Sequence, residues 1–159
     1  MGFFGRLKRV ARGAVKLEVS VPPSFSWSSD VLPVAITLTN EDDDARTVRK
    51  IEVELEKVGG GQRPAKCDVD LHEEIHLEPG QTVHLQIPLP VGAAAAATGL
   101  DLAEWARTQG LPDWVGQMRF KQGAGGMGRV PMTGRHEVEV EINLSNGRVI
   151  EKRVHTEAV

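Results

Sequence analysis

The stretch Arg135 to Asn143 sets apolar Val138, Val140 and Ile142 against Glu137, Glu139 and Glu141 in strict alternation. A period of two sends successive side chains to opposite faces of an extended chain, so one face is apolar and the other charged. After Asn146-Gly147 the rhythm resumes in Arg148 to Thr156. Asn-Gly favours the positive φ angles of a tight turn, and these residues are predicted to form a β-hairpin with one wet face.

The same signal recurs upstream. Val15 to Val21 alternates Val15, Leu17, Val19 and Val21 with Lys16, Glu18 and Ser20, and stops at Pro22-Pro23. Val34 to Thr39 runs into the acidic loop Asn40 to Asp44. Val48 to Val58 sets Ile51, Val53 and Leu55 inward and Glu52, Glu54 and Glu56 outward before Gly59-Gly60-Gly61. Cys67 to Leu77 and Val83 to Leu89 follow, separated by Pro79-Gly80. With the hairpin this makes about seven strands with turn signals between them, which predicts an all-β, immunoglobulin-like or arrestin-like antiparallel β-sandwich. Val19, Ile36, Leu38, Val53, Leu55, Leu85, Ile87, Val140 and Ile142 form the expected core.

Residues 92–134 break the pattern as an insertion in a sandwich domain spanning 15–159. Ala93 to Ala97 and Asp101 to Gln109 favour helix, with Leu102, Trp105 and Ala106 on one side and Gly110 and Pro112 as stop signals. Trp114, Val115 and Met118 form a second apolar cluster, and Gln122 to Gly134 is glycine-rich. A loop this long on a compact frame is commonly functional or disordered, and tryptophans are rare in disordered segments. The insertion therefore reads either as a helical lid over its own core or as a recognition element. In the second reading Leu102, Trp105, Trp114 and Met118 are the partner-binding candidates.

Residues 1–14 differ again. Arg6, Lys8, Arg9, Arg12 and Lys16 all precede the first acid, Glu18, while Phe3, Leu7, Val10, Ala11 and Ala14 recur at helical spacing. The expectation is a short, basic amphipathic helix weakened by Gly2, Gly5 and Gly13. Phe3 and Phe4 beside Arg6, Lys8, Arg9 and Arg12 make it a candidate for peripheral contact with an anionic membrane surface. The same charges interrupt the apolar run a signal peptide needs, and Cys67 is the single cysteine, so a reducing, cytoplasmic setting is expected. A net charge of −3 and 4% aromatic residues give nucleic acid neither a general attraction nor stacking platforms.

His72-Glu73-Glu74-Ile75-His76 matches the H-E-x-x-H pattern of zinc peptidases. On a helix, histidines four apart share a face and hold one Zn²⁺, with the glutamate as general base. On a strand they stand about 13 Å apart, too far to share a metal. The surrounding alternation through Val69, Leu71, Ile75 and Leu77 predicts strand, leaving a peptidase using His72, Glu73 and His76 as the alternative function. Gly123-Ala124-Gly125-Gly126-Met127-Gly128 satisfies G-x-G-x-x-G but lacks the strand and helix that a dinucleotide site requires. Glu41-Asp42-Asp43-Asp44 lacks a Ca²⁺ ligand spacing and reads as a solvated turn. Cys67 falls in the apolar phase of its strand, as a buried thiol would. No catalytic residue, metal site or cofactor is expected.

Three pieces together resemble a known family. They are Met1-Gly2-Phe3-Phe4-Gly5-Arg6-Leu7 leading into Val15-Lys16-Leu17-Glu18-Val19, then Ile51-Glu52-Val53-Glu54-Leu55, then Leu77-Glu78-Pro79-Gly80-Gln81-Thr82-Val83 running to Ile87-Pro88-Leu89-Pro90. They are similar to the arrestin-like sporulation-control proteins of bacteria. The resemblance implies a non-enzymatic cytoplasmic regulator of a stress or sporulation-type pathway that docks to a protein partner as a binding or scaffold module. Those proteins look like two tandem sandwiches, whereas this chain has room for one.

Overall fold

A computed structural model describes residues 15–29, 31–59, 65–91 and 133–159, with backbone alone for 65–73 and 90. Its strands, in chain order, are β1 (Val15–Ser20), β2 (Ser24–Phe25), β3 (Val31–Asn40), β4 (Arg46–Lys57), β5 (Ala65–Leu77), β6 (Thr82–Pro90), β7 (Gly134–Leu144) and β8 (Val149–Ala158). They form two sheets, ordered β1-β3-β6 and β2-β8-β7-β4-β5. Every predicted strand is present, and β2 is an addition. The expected N-terminal helix lies outside the described residues, as does the helical insertion up to residue 132; β7 already begins at Gly134.

One apolar cluster joins the two sheets. Leu17, Leu32, Val34, Ile36, Leu38, Leu85, Ile87 and Leu89 come from the smaller sheet, and Val48, Ile51, Val53, Leu55, Val138, Val140 and Ile142 from the larger. Of the nine expected core residues eight are buried, while Val19 is only partly buried against the cluster. Val19 sits near the end of β1, where the edge strand leaves the core. Burial is the main force holding the sheets together, at about 25 cal/mol per Å² of apolar surface removed from water.

The missed strand explains how the sandwich edge is stitched. β1 pairs antiparallel with β3 in one sheet, and β2 pairs parallel with β8 in the other. Pro22-Pro23 lies between them and breaks the ladder, so the chain bends and changes sheets. Thr156 Oγ1 donates to Pro22 O at 2.7 Å, and the Glu157 amide donates to Pro23 O at 3.0 Å. Two residues of strand are too short a run for periodicity to reveal.

Two further departures have local causes. The hairpin β7–β8 does not use positive φ at both Asn146 and Gly147: only Gly147 takes it, at +82°. Leu144 N–H donates to Arg148 O at 2.9 Å and Gly147 N–H to Leu144 O at 3.1 Å, which makes Ser145–Gly147 a three-residue loop ending in a left-handed glycine. In β4 the buried positions run Val48, then Ile51, Val53 and Leu55, because the register shifts between Val48 and Lys50 against both neighbours. Against β7 Arg49 is the extra residue of a β-bulge, which lets both Val48 and Ile51 face inward, whereas against β5 the extra residues lie on β5 between Asp70 and Ile75.

Candidate interaction surfaces

At one corner of the sandwich His136 opens the apolar phase of β7 and is fully buried. Its Nδ1 bonds Gly134 O at 2.9 Å, and its Nε2 is buried with no hydrogen-bond partner among the described residues. Phe25 and Trp27 meet the imidazole edge-to-face, with ring centroids 5.7 and 5.6 Å from it and 4.9 Å from each other. Gly134 has φ of +101°, a conformation that lets the chain turn sharply into β7. Both flanks of residues 92–132 reach this corner: Pro90 pairs with Val31 just after the Phe25–Trp27 turn, and Gly134 pairs with Ala158, the partner of Phe25. His136 was legible as an inward residue, since it stands two before Val138, but its cage needs β2, which sequence did not reveal.

The outer face of the larger sheet is lined with carboxylates. Glu52, Glu54 and Glu56 of β4 stand directly opposite Glu141, Glu139 and Glu137 of β7. Like charges in register repel, by an amount in the range of roughly 0.2–1 kcal/mol per cross-strand pair. Arg153 of β8 relieves part of it, reaching Glu151 at 2.7 Å, Glu139 at 2.8 Å and Glu137 at 3.5 Å. The hydrogen bond to Glu151 and the charge of Glu139 raise the Arg153 guanidinium above its ordinary value. Partial burial, then Glu151, Glu54 and Glu141, raise the Glu139 carboxyl against the pull of Arg153. Lys50 Nζ lies 2.6 Å from Glu52 at the end of this array. The predicted glutamate phases of β4 and β7 are thus found, but only sheet pairing brings them face to face.

At the opposite end, the acidic loop is closed by its own neighbours. Asp42 accepts from Asp43 N at 2.7 Å and pairs with the guanidinium of Arg46, whose hydrogen bond holds the Asp42 carboxyl below the usual range. Asn40, fully buried, donates Nδ2 to Asp44 O at 2.8 Å and Leu77 O at 2.9 Å, and its Oδ1 accepts from Asp42 N at 3.0 Å. This side chain ties β3 of one sheet to β5 of the other.

His72 and Glu73 lie within β5, in the irregular stretch between Asp70, which pairs with Lys50, and Ile75, which pairs with Val48. His76 is exposed, and its Nδ1 shares a hydrogen bond with Thr47 Oγ1 at 3.1 Å. The helix that a zinc-peptidase reading of H-E-x-x-H requires is replaced by strand. Among the described residues no group of His, Cys, Asp and Glu gathers as a metal site. Cys67 pairs in register with inward-facing Val53. Leu102, Trp105, Trp114 and Met118, and Phe3, Phe4, Arg6, Lys8, Arg9 and Arg12, lie outside the described residues. Among the described residues no helix is long and apolar enough to cross a membrane.

Fold and surfaces define the class: an all-β domain of two antiparallel-dominated sheets around one core. No family model matches the chain, and no curated protein sequence does. Among solved structures it is similar in fold to the sporulation control protein Spo0M from Bacillus subtilis, with a TM-score of 0.50 at 10% identity, over 92% of this chain and 49% of that one. The DNA glycosylase AlkC of Pseudomonas fluorescens matches with a TM-score of 0.48 and 15% identity, over 92% of this chain and 30% of that one. A mutant β-glucosidase from Listeria innocua matches at 0.46 and 19%, over 91% and 16%. The chain spans half or less of each of these solved chains, and the likeness to Spo0M is one of fold alone.

Proposed function

We propose that this protein is a non-enzymatic binding or scaffold module of arrestin-like type, acting in the cytoplasm as a regulator in a stress or sporulation-type pathway. The observation that supports the reading is where the described flanks of residues 92–132 lie: β6 ends and β7 begins at one corner of a frame whose strands are held by a continuous core. A long segment on such a frame is well placed for recognition, and Leu102, Trp105, Trp114 and Met118 supply the apolar anchors common at interface hot spots. The likeness to Spo0M supports the frame. The basic residues Arg6, Lys8, Arg9 and Arg12, with Phe3 and Phe4, are the proposed contact with an anionic surface.

Trp105→Ala and Trp114→Ala test the reading when capture of protein partners is run beside thermal melts. A recognition segment loses its partner and keeps its melting temperature. A lid keeps its partner and melts early, which would reject the proposal. For the arm, co-sedimentation with anionic vesicles should fall when residues 2–14 are deleted and when salt is raised, because such attraction is screened. Binding unchanged by both removes that part of the reading.

A further inference from the structure

β8 pairs with β7 along its length, from Val149 to Ala158. On its other side, among the described residues, only Glu157 and Ala158 are paired, with β2. Among the described residues Val149 to His155 therefore has no strand paired on this side, beside the acidic face, with β1 of the other sheet close to β8. Glu157 N–H and Val159 N–H donate to Pro23 O and Phe25 O, both at 3.0 Å, so the odd-numbered residues turn their main-chain groups away from β7. Direction alternates along an antiparallel strand, and the same side is faced by the amides and carbonyls of Val149, Glu151, Arg153 and His155.

We propose that this edge pairs, antiparallel, with the same edge of a second copy of the chain about a two-fold axis at Lys152. Hydrogen-bonding residues must meet hydrogen-bonding residues, so only registers that set odd residues opposite odd ones are allowed. An axis at Glu151 or at Arg153 sets like charges on themselves. The axis at Lys152 sets Glu151 opposite Arg153 of the second copy, twice over, and uses the whole open stretch, with Val149 opposite His155. On the inner face it brings half-buried Ile150 against Val154, and on the outer face Val149, 53% exposed, gains cover. The contact is isologous and closes as a dimer, by the same main-chain pairing through which peptides add to sheet edges. Lys152 meets itself on the axis, which opposes the contact. This self-association is independent of the partner contact proposed for residues 92–132. The competing reading is that Glu151, Lys152, Arg153 and His155 guard the edge against any pairing.

Sedimentation of the full chain across a wide concentration range tests it. The unaltered chain should show a monomer–dimer equilibrium without larger assemblies. Arg153→Glu should weaken it by about tenfold or more, since two charge pairs become repulsive. Lys152→Thr removes the like charge on the axis and should tighten the dimer without lowering the melting temperature, which covers the case where Arg153→Glu loosens the fold. In a non-hydrogen-bonded pair the Cα atoms stand about 4.5 Å apart, within disulfide range. Mild oxidation of Lys152→Cys should then give a covalent dimer, while the unaltered chain with its single Cys67 gives none. A monomer at every concentration overturns the proposal. So does a dimer that Lys152→Thr fails to tighten and that Lys152→Cys fails to trap.

Discussion

Replacing Asn40 by alanine should destabilise the domain more than any other single polar substitution among the described residues. The side chain is fully buried and makes three hydrogen bonds, to Asp44 O, Leu77 O and Asp42 N. Each contributes a net of about 0.5–1.5 kcal/mol, and leaving a buried acceptor unpaired costs about 1–3 kcal/mol. Leu77, whose carbonyl is one of those acceptors, is fully buried as well. Relaxation of the loop recovers some of this through water, so the expected loss is about 3 kcal/mol. For a domain of this size that lowers Tm by about 6–12 °C. Chemical denaturation should show a shifted midpoint at unchanged slope. Asn40→Asp sharpens the test, because it keeps the acceptor for Asp42 N but turns an ionised oxygen toward two carbonyls. It should be at least as damaging at neutral pH and should recover partly in acid, where a protonated carboxyl donates one bond again. An Asn40→Ala protein within about 1 kcal/mol of the unaltered chain would refute the claim that this residue ties the two sheets.

Ile142→Ala, at a fully buried position of β7, should cost about 2–5 kcal/mol in equilibrium unfolding, through lost burial plus the cavity left behind. Glu139→Gln should raise stability at neutral pH by about 0.5 kcal/mol, because it removes one of the in-register Glu pairs at the expense of a contact with Arg153. The pH sign follows from the raised Glu139 carboxyl: the folded state binds this proton more tightly than the unfolded, so its unfavourable contribution fades as pH falls through the folded value, and the Gln variant should lose that part of the profile. Asp42 has the opposite sign, with its Arg46-supported stabilisation lost in acid, and Asp42→Asn should flatten the acid limb of a melting curve series. Gly147→Ala should cost about 1–2 kcal/mol although nothing lies within 4 Å of the added Cβ, because the penalty is the left-handed backbone itself; an unchanged melting temperature would reject the turn geometry.

The alternation of Val138, Val140 and Ile142 with Glu137, Glu139 and Glu141 determined, without any tertiary information, that β7 exists and which face it buries. That β1, β3, β4, β5, β6 and β8 exist was legible in the same way, since a period of two is a local property of the chain. The strand reading of His72 to His76 also followed from local period, and with it the loss of the helix that a zinc-peptidase site needs. What pairs with what was not local. That β4 lies between β5 and β7, so that Glu54 faces Glu139, depends on sheet order, and sheet order depends on which buried faces satisfy one another across the core. The two-residue β2, the Arg49 bulge and the Phe25–Trp27–His136 cage are shorter than any periodic signal, and each exists because chain segments distant in sequence supply its hydrogen bonds or ring contacts. Asn40 looked like the start of an acidic loop; only the approach of Leu77 O, from a strand of the other sheet, makes its amide a buried clamp. Pattern along the chain decides which face is dry, and the meeting of dry faces decides which polar groups end up between them.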